Sequence, residues 1–163
     1  MEPTEHMVCF SMYAASRATT KAYATLLEPH GLTYPQYLVL VLLWSRDDRS
    51  VRELGDALDL DSGTLSPLLR RMTRDGLVER TRTREDERVV SVSLTSRGRD
   101  LRAELAHVPG CIAQGMGVTV DGARALIAAL TELADGMRDT AAGARSASAA
   151  ADTTTPEREK EHA

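Results

Sequence analysis

Asp61-Ser62-Gly63-Thr64-Leu65-Ser66-Pro67-Leu68-Leu69-Arg70-Arg71-Met72-Thr73-Arg74-Asp75-Gly76 places Leu65, Leu68, Leu69 and Met72 at i, i+3, i+4 and i+7, the period of a helix with one apolar face. Pro67 must fall within about the first turn, which puts the start between Ser62 and Ser66, and Gly76 stops the helix. Arg70 and Arg74, four residues apart, share a face turned away from the leucines. Directly afterwards the period falls from 3.6 to 2. Val90, Val92 and Leu94 alternate with Ser91 and Ser93, facing 77–82 across the polar turn Arg84-Glu85-Asp86-Glu87, which is the pattern of a β-hairpin.

Working outward, Ser50 with Glu53 forms a capping box that opens a short helix carrying Val51, Leu54 and Leu58. Before it, Thr33 and Gln36 make a second such pattern in front of Tyr37 to Trp44, a run so apolar that it belongs in the core. Residues 5–27 keep one helical face through Cys9, Tyr13, Ser16, Thr20, Tyr23 and Leu27, with Gly31 placed to end it. Beyond the hairpin, Thr95 restarts a helix containing Leu101, Leu105, Val108 and Ile112. A last amphipathic helix holds Leu126, Ile127, Leu130, Leu133 and Met137. From Ala141 no apolar residue exceeds alanine, so 141–163 is expected to lack order.

The fold class is therefore mainly α with a small β-hairpin wing: two short helices, a tight polar turn between them, then an arginine-rich hairpin, together a winged helix-turn-helix at about 48–95 within one domain spanning 1–140. Helices at about 5–30 and 96–140 have apolar faces with no partner left in the chain. They predict an intertwined helical homodimer.

The 163 residues carry 20 Lys and Arg against 24 Asp and Glu, a net charge of −4 that argues at first against nucleic acid. The distribution reverses that inference. Between Ser62 and Arg102 there are ten arginines and six acids, a net of +4, leaving −8 elsewhere. The basic stretch uses arginine alone, whose planar fork suits phosphates and base edges. Taken alone, ten arginines describe an ordinary solvated surface equally well; following two helices in this order, they point to double-stranded DNA. Ser62, Thr64, Ser66, Pro67, Arg70, Arg71 and Arg74 are the candidate contacts on the recognition helix, and Arg82, Arg84, Asp86 and Arg88 those on the wing. No apolar run is long enough for a membrane span, and the acidic N-terminus lacks the basic flank of a signal peptide, so a cytoplasmic protein is expected.

The stretch Asp86-Glu-Arg88-Val-Val-Ser-Val-Ser-Leu94-Thr95-Ser-Arg-Gly98 resembles the wing signature of the multiple-antibiotic-resistance-regulator (MarR) family of dimeric winged-helix transcription factors. Cys9-Phe10-Ser-Met-Tyr13-Ala-Ala-Ser16-Arg17, Tyr34-Pro35-Gln36-Tyr37 and Leu60-Asp61-Ser62-Gly63-Thr64-Leu65-Ser66-Pro67 are similar to its organic-hydroperoxide-resistance-regulator (OhrR) subgroup. The resemblance runs from about Val8 to Met137. It implies a repressor that binds a pseudo-palindromic operator as a dimer and lets go when Cys9 is oxidised by an organic hydroperoxide. Tyr13, Tyr23 and Tyr34 match tyrosines of that subgroup's sensing pocket, and Cys111 lies where some members carry a resolving cysteine that bonds the sensing cysteine of the other subunit.

Chemistry independent of the resemblance supports a sensing role for Cys9. A thiol reacts as the thiolate, the positive end of a helix favours that anion, and Tyr13 one turn on can donate to the sulfur. A lone helical cysteine is otherwise most often a small buried hydrophobe. Phe10, Met12, Leu38 and Leu42 are the candidates for an apolar pocket that selects organic peroxides. His6, His30, His107 and His162 share no ligand spacing, so no metal and no cofactor is expected. Two alternatives stand: reversible binding of a small aromatic effector in the same fold, and a thiol peroxidase. The second would need the alternating strands and helices of a thioredoxin-like sheet, which the sequence does not show.

Overall fold

A computed structural model describes residues 3–82 and 90–152. The chain divides into two compact units, 1–116 and 117–163. In the first, helix α1 (Val8–Leu27) follows a 3-10 turn, Pro3–His6, and ends in another, Glu28–His30, closed by Gly31 in the left-handed region at φ 66°. Then come α2 (Tyr34–Ser45), β1 (Arg49–Ser50), α3 (Val51–Leu58), α4 (Ser62–Arg74), β2 (Val78–Arg82), β3 (Val90–Leu94), α5 (Ser96–Glu104) and α6 (Val108–Met116).

The caps read from the sequence are made. At α3, Ser50 Oγ accepts the Glu53 N–H at 3.1 Å while Glu53 Oε2 accepts the Ser50 N–H at 2.8 Å, satisfying two donors that the helix start leaves orphaned. At α2, Gln36 Oε1 accepts the Thr33 N–H at 2.8 Å. Asp61 caps α4 by accepting the Thr64 N–H at 2.8 Å, which holds its carboxyl below the usual range, and Thr95 caps α5 through the Gly98 N–H at 3.1 Å.

Around α2 the core closes. Val39, Leu40 and Leu43 are buried with Leu27 of α1, Leu54 of α3, Leu65, Leu69 and Met72 of α4, Val92 of β3 and Leu101 of α5. The apolar face of α4 is thus spent on the core, which leaves its arginines outside as their spacing requires. Truncating a fully buried leucine such as Leu40 to alanine costs about 3 kcal/mol.

Several features of the first unit differ from the sequence reading. The hairpin belongs to a three-stranded antiparallel sheet in the order β1-β3-β2, because the two residues Arg49 and Ser50 pair with Val92 and Ser91. Ser91 is consequently buried, although the alternation places it on the outer face. Pro67 is the sixth residue of α4, past the first turn, so one intrahelical bond, to the Gly63 carbonyl, is absent near the exposed start. The helix predicted from Thr95 through Ile112 is two, α5 and α6, broken at 105–107 ahead of Pro109, whose ring belongs in a first turn.

The second unit holds α7 (Val120–Asp152), on which Leu126, Ile127, Leu130 and Met137 are exposed. The sequence predicts no order beyond residue 140, whereas α7 continues through Asp152. Alanine has the highest helix propensity, and extending an existing helix adds a hydrogen bond per residue without a new nucleus or any apolar burial.

Candidate nucleic-acid interface and thiol site

On α4, Ser62, Thr64, Arg70, Arg71 and Arg74 are exposed, and Ser66 and Pro67 are half-buried. The hydroxyl groups stand in the first turns, where unpaired backbone N–H groups and the helix dipole favour an anion; the arginines follow one to three turns on. Arg74 Nε pairs with Asp75 at 3.0 Å, which leaves its terminal nitrogens available to a phosphate. The wing strands run in the register Val78↔Leu94, Arg80↔Val92 and Arg82↔Val90. Arg82 therefore ends β2 at the turn end of the hairpin; Arg84, Asp86 and Arg88 lie outside the described residues.

A hollow of about 580 Å³ separates α3 and the start of α4 from the strands, with Val51, Leu60, Ser62, Leu65, Arg80 and Val90 among its walls. Arg80 Nε is buried there without a hydrogen-bond partner. Arg80 is not among the contacts expected from the sequence; its place in β2 two residues from buried Val78, on the same strand face, is the signal that its side chain leans on the helices.

A residue match joins the geometry at this point. Residues 21–105 match the transcriptional regulator SarA/Rot family. The chain belongs to that family. Like its relatives it is a transcriptional regulator rather than an enzyme, which removes the peroxidase alternative. It is 47% identical over 131 residues to the HTH-type transcriptional regulator TtmR of Methylorubrum extorquens (80% of this chain, 67% of that one). To the organic hydroperoxide resistance transcriptional regulator of Bacillus subtilis it is 48% identical over 108 residues (66% and 74%). Reduced AbfR bound to DNA superposes with a TM-score of 0.69 at 31% identity (80% and 90%), and disulfide-formed AbfR with 0.59 at 33% (77% and 88%). MarR from E. coli with operator DNA shares the winged-helix fold at a TM-score of 0.72 and 22% identity (82% and 99%).

Within this SarA/Rot chain the predicted thiol site is spread out. Cys9 is exposed on the first turn of α1. Tyr13, one turn along, is exposed and accepts a hydrogen bond from Arg17 Nη1 at 3.1 Å, leaving its own proton free to be donated. Tyr23 and Tyr34 stack with centroids 4.1 Å apart, and Tyr37 lies 5.7 Å from Tyr23. Desolvation first, then the neighbouring Tyr34 and Tyr37, raises the Tyr23 pKa, so this phenol keeps its proton well above neutral pH.

Fourteen residues of one helix separate Cys9 from Tyr23, about 21 Å of rise, so a single chain does not bring the thiol to this tyrosine pair. Cys111 lies elsewhere again. It borders a hollow of about 620 Å³ between α6 and the middle of α1, with Ala15, Ala18, Ala22, Leu26 and Ile112. Ala15, the bordering α1 residue nearest Cys9 in sequence, is six residues from it, about 9 Å of helix rise. Of the residues expected to form an apolar pocket, Phe10 is exposed on α1, and neither of the two hollows at Arg80 and Cys111 is lined by Phe10, Met12, Leu38 or Leu42.

Proposed function

We propose that this regulator is a homodimeric repressor that binds pseudo-palindromic operator DNA and releases it when an organic hydroperoxide oxidises Cys9. The observation that carries the reading is an exposed cysteine at the positive end of α1 with a tyrosine one turn on, in a chain 48% identical to an organic hydroperoxide resistance regulator. The thiolate takes the distal oxygen of the peroxide, giving a sulfenic acid and the alcohol; condensation with a second thiol then forms a disulfide and water.

The separations along α1 support a reading in which the remaining groups act across two chains. Tyr23 and Tyr34 serve the partner's thiolate, and Cys111 resolves the partner's sulfenic acid. Disulfide-formed AbfR supports such a state. The exposed apolar residues Met7, Val8 and Phe10 of α1 and Leu126, Ile127 and Leu130 of α7 are surfaces that a second copy would cover. In that dimer two α4 helices about 34 Å apart read successive major grooves, Ser62, Thr64, Ser66, Pro67, Arg70, Arg71 and Arg74 meet base edges and phosphates, and Arg82 with Arg84, Asp86 and Arg88 of the wing meets the minor groove. A disulfide between the chains changes that spacing and lowers affinity.

The hollow at Arg80 favours a second reading, release by a small aromatic carboxylate: apolar walls would take the ring and the unpaired Nε the charge. Gel shift on promoter DNA with and without cumene hydroperoxide separates the two. Under the redox reading, Cys9→Ser binds DNA and is no longer released by peroxide. Continued release of that variant defeats thiol sensing, and absence of DNA binding by both proteins defeats the repressor itself.

A further inference from the structure

The loop between α2 and β1 contains Arg46, Asp47 and Asp48, and two of these reach β3, the return strand of the wing. Asp47 Oδ1 accepts the Leu94 N–H at 2.9 Å and the Asp48 N–H at 2.9 Å. Arg99, in the first turn of α5, donates Nη1 to the Leu94 carbonyl at 2.6 Å and stands 3.6 Å from the other Asp47 carboxylate oxygen. The Asp48 carboxylate accepts the Ser91 hydroxyl, and Asp48 sits in the left-handed region at φ 59°, where aspartate is among the better-tolerated residues.

The register shows what Asp47 replaces. Arg49 pairs with Val92, so the position opposite Leu94 is Asp47. There the ladder is continued by a side-chain carboxylate in place of a main-chain carbonyl. β1 is only two residues long, and a hairpin on its own is marginal, so the direction of β2 and β3 depends on what holds their base. The loop is continuous with α2, whose buried face shares one core cluster with α4.

We propose that Asp47 is a positioning residue for DNA recognition: through the Leu94 amide it fixes the wing hairpin to the end of α2, and hence to α4, with Arg99 orienting the carboxylate. This rests on the reading that the wing touches DNA. The backbone hydrogen bond carries the effect, since the ion pair with Arg99 is half-exposed and contributes little. Asp47→Asn, which keeps an acceptor, should therefore rescue what Asp47→Ala loses.

The test uses the full chain and a duplex of about 30 base pairs, long enough for two half-sites and their flanks, selected from a random library by the wild-type protein. In Asp47→Ala the Leu94 amide should exchange with solvent about tenfold faster and affinity should fall about tenfold. Hydroxyl-radical protection should disappear from the outer minor grooves while guanine protection in the major groove persists. Asp47→Asn should stay within about twofold of wild type. Unchanged affinity, simultaneous loss of both protections, an asparagine variant as weak as alanine, or an Asp47→Ala chain that does not fold would each overturn the proposal. If the wild type protects no outer minor groove, it is the wing-contact reading that fails; unchanged Leu94 exchange in Asp47→Ala then overturns the clamp as well.

Discussion

Tyr23 and Tyr34 stack face to face, with ring centroids 4.1 Å apart and planes 21° from parallel, and so fasten α1 to α2. Aromatic pairs of this geometry contribute about 1 kcal/mol beyond their area, and the rings keep it without their hydroxyl groups. Tyr23→Phe and Tyr34→Phe should accordingly retain DNA affinity. If the phenols donate to the partner's thiolate, oxidation of Cys9 by cumene hydroperoxide should slow by about tenfold, since a charge-assisted hydrogen bond of about 1.5 kcal/mol is lost. Trapping the sulfenic acid with dimedone at timed intervals measures this; wild-type rates in both variants would remove the tyrosines from the sensing site.

Cys111→Ser should leave peroxide oxidation of Cys9 intact while abolishing the cross-linked dimer on a non-reducing gel. A cross-link that survives would mean that two Cys9 residues bond each other. Loss of the cross-link together with unchanged release from DNA would show that the sulfenic acid is enough for release.

Arg70→Ala and Arg74→Ala should each reduce the slope of log K against log salt by about 0.9, the counterion release of one phosphate contact. The measurement is a salt titration of binding by fluorescence anisotropy. An arginine that reads a base instead would lower affinity for the selected duplex more than for random DNA, by about 1–3 kcal/mol.

Gly98→Ala should destabilise the fold by about 3 kcal/mol, lowering Tm by about 10 °C. A Cβ at this buried position would lie 2.1 Å from the Leu77 carbonyl oxygen, a backbone atom with nowhere to move, because the Thr95 hydroxyl and amide bind that same oxygen. Calorimetry decides, and a change in Tm below about 2 °C would mean that α5 shifts freely.

Glu53 has its pKa lowered from 4.5 to about 2, first by the Ser50 backbone N–H, then by the Ser50 hydroxyl and Arg46. A carboxyl depressed in the folded state stabilises above its unfolded value and loses that contribution as pH falls through the folded one. The Tm advantage of wild type over Glu53→Gln should thus be complete above about pH 4.5 and fade towards pH 2. A difference that is flat across this range would show that the capping box works as well with a neutral side chain.

The helices, their caps and the outward arginines of α4 were legible in the chain because each depends on neighbours within a turn or two. Leu65, Leu68, Leu69 and Met72 had to be buried together, and Ser50 with Glu53 had to cap, whatever the rest of the fold did. β1 escaped notice because two residues carry no periodicity; Arg49 and Ser50 become a strand only when Val92 and Ser91 are beside them. The break between α5 and α6 was hidden for a related reason. Leu101, Leu105, Val108 and Ile112 keep the helical period across it, so only Pro109 marked the interruption.

What the sequence by itself determined is everything set by local spacing and residue chemistry: an arginine-faced helix before a hairpin, an apolar α2, one cysteine at a helix start and another after the wing. What only the tertiary structure decided is which of these groups meet. It stacked Tyr23 on Tyr34, set Asp47 opposite Leu94, buried Arg80 Nε in a hollow, and brought Cys111 beside the middle of α1. The reason is that distance along a helix is fixed at about 1.5 Å per residue and can be read from numbering, whereas approach between elements depends on how their side chains fill a shared core.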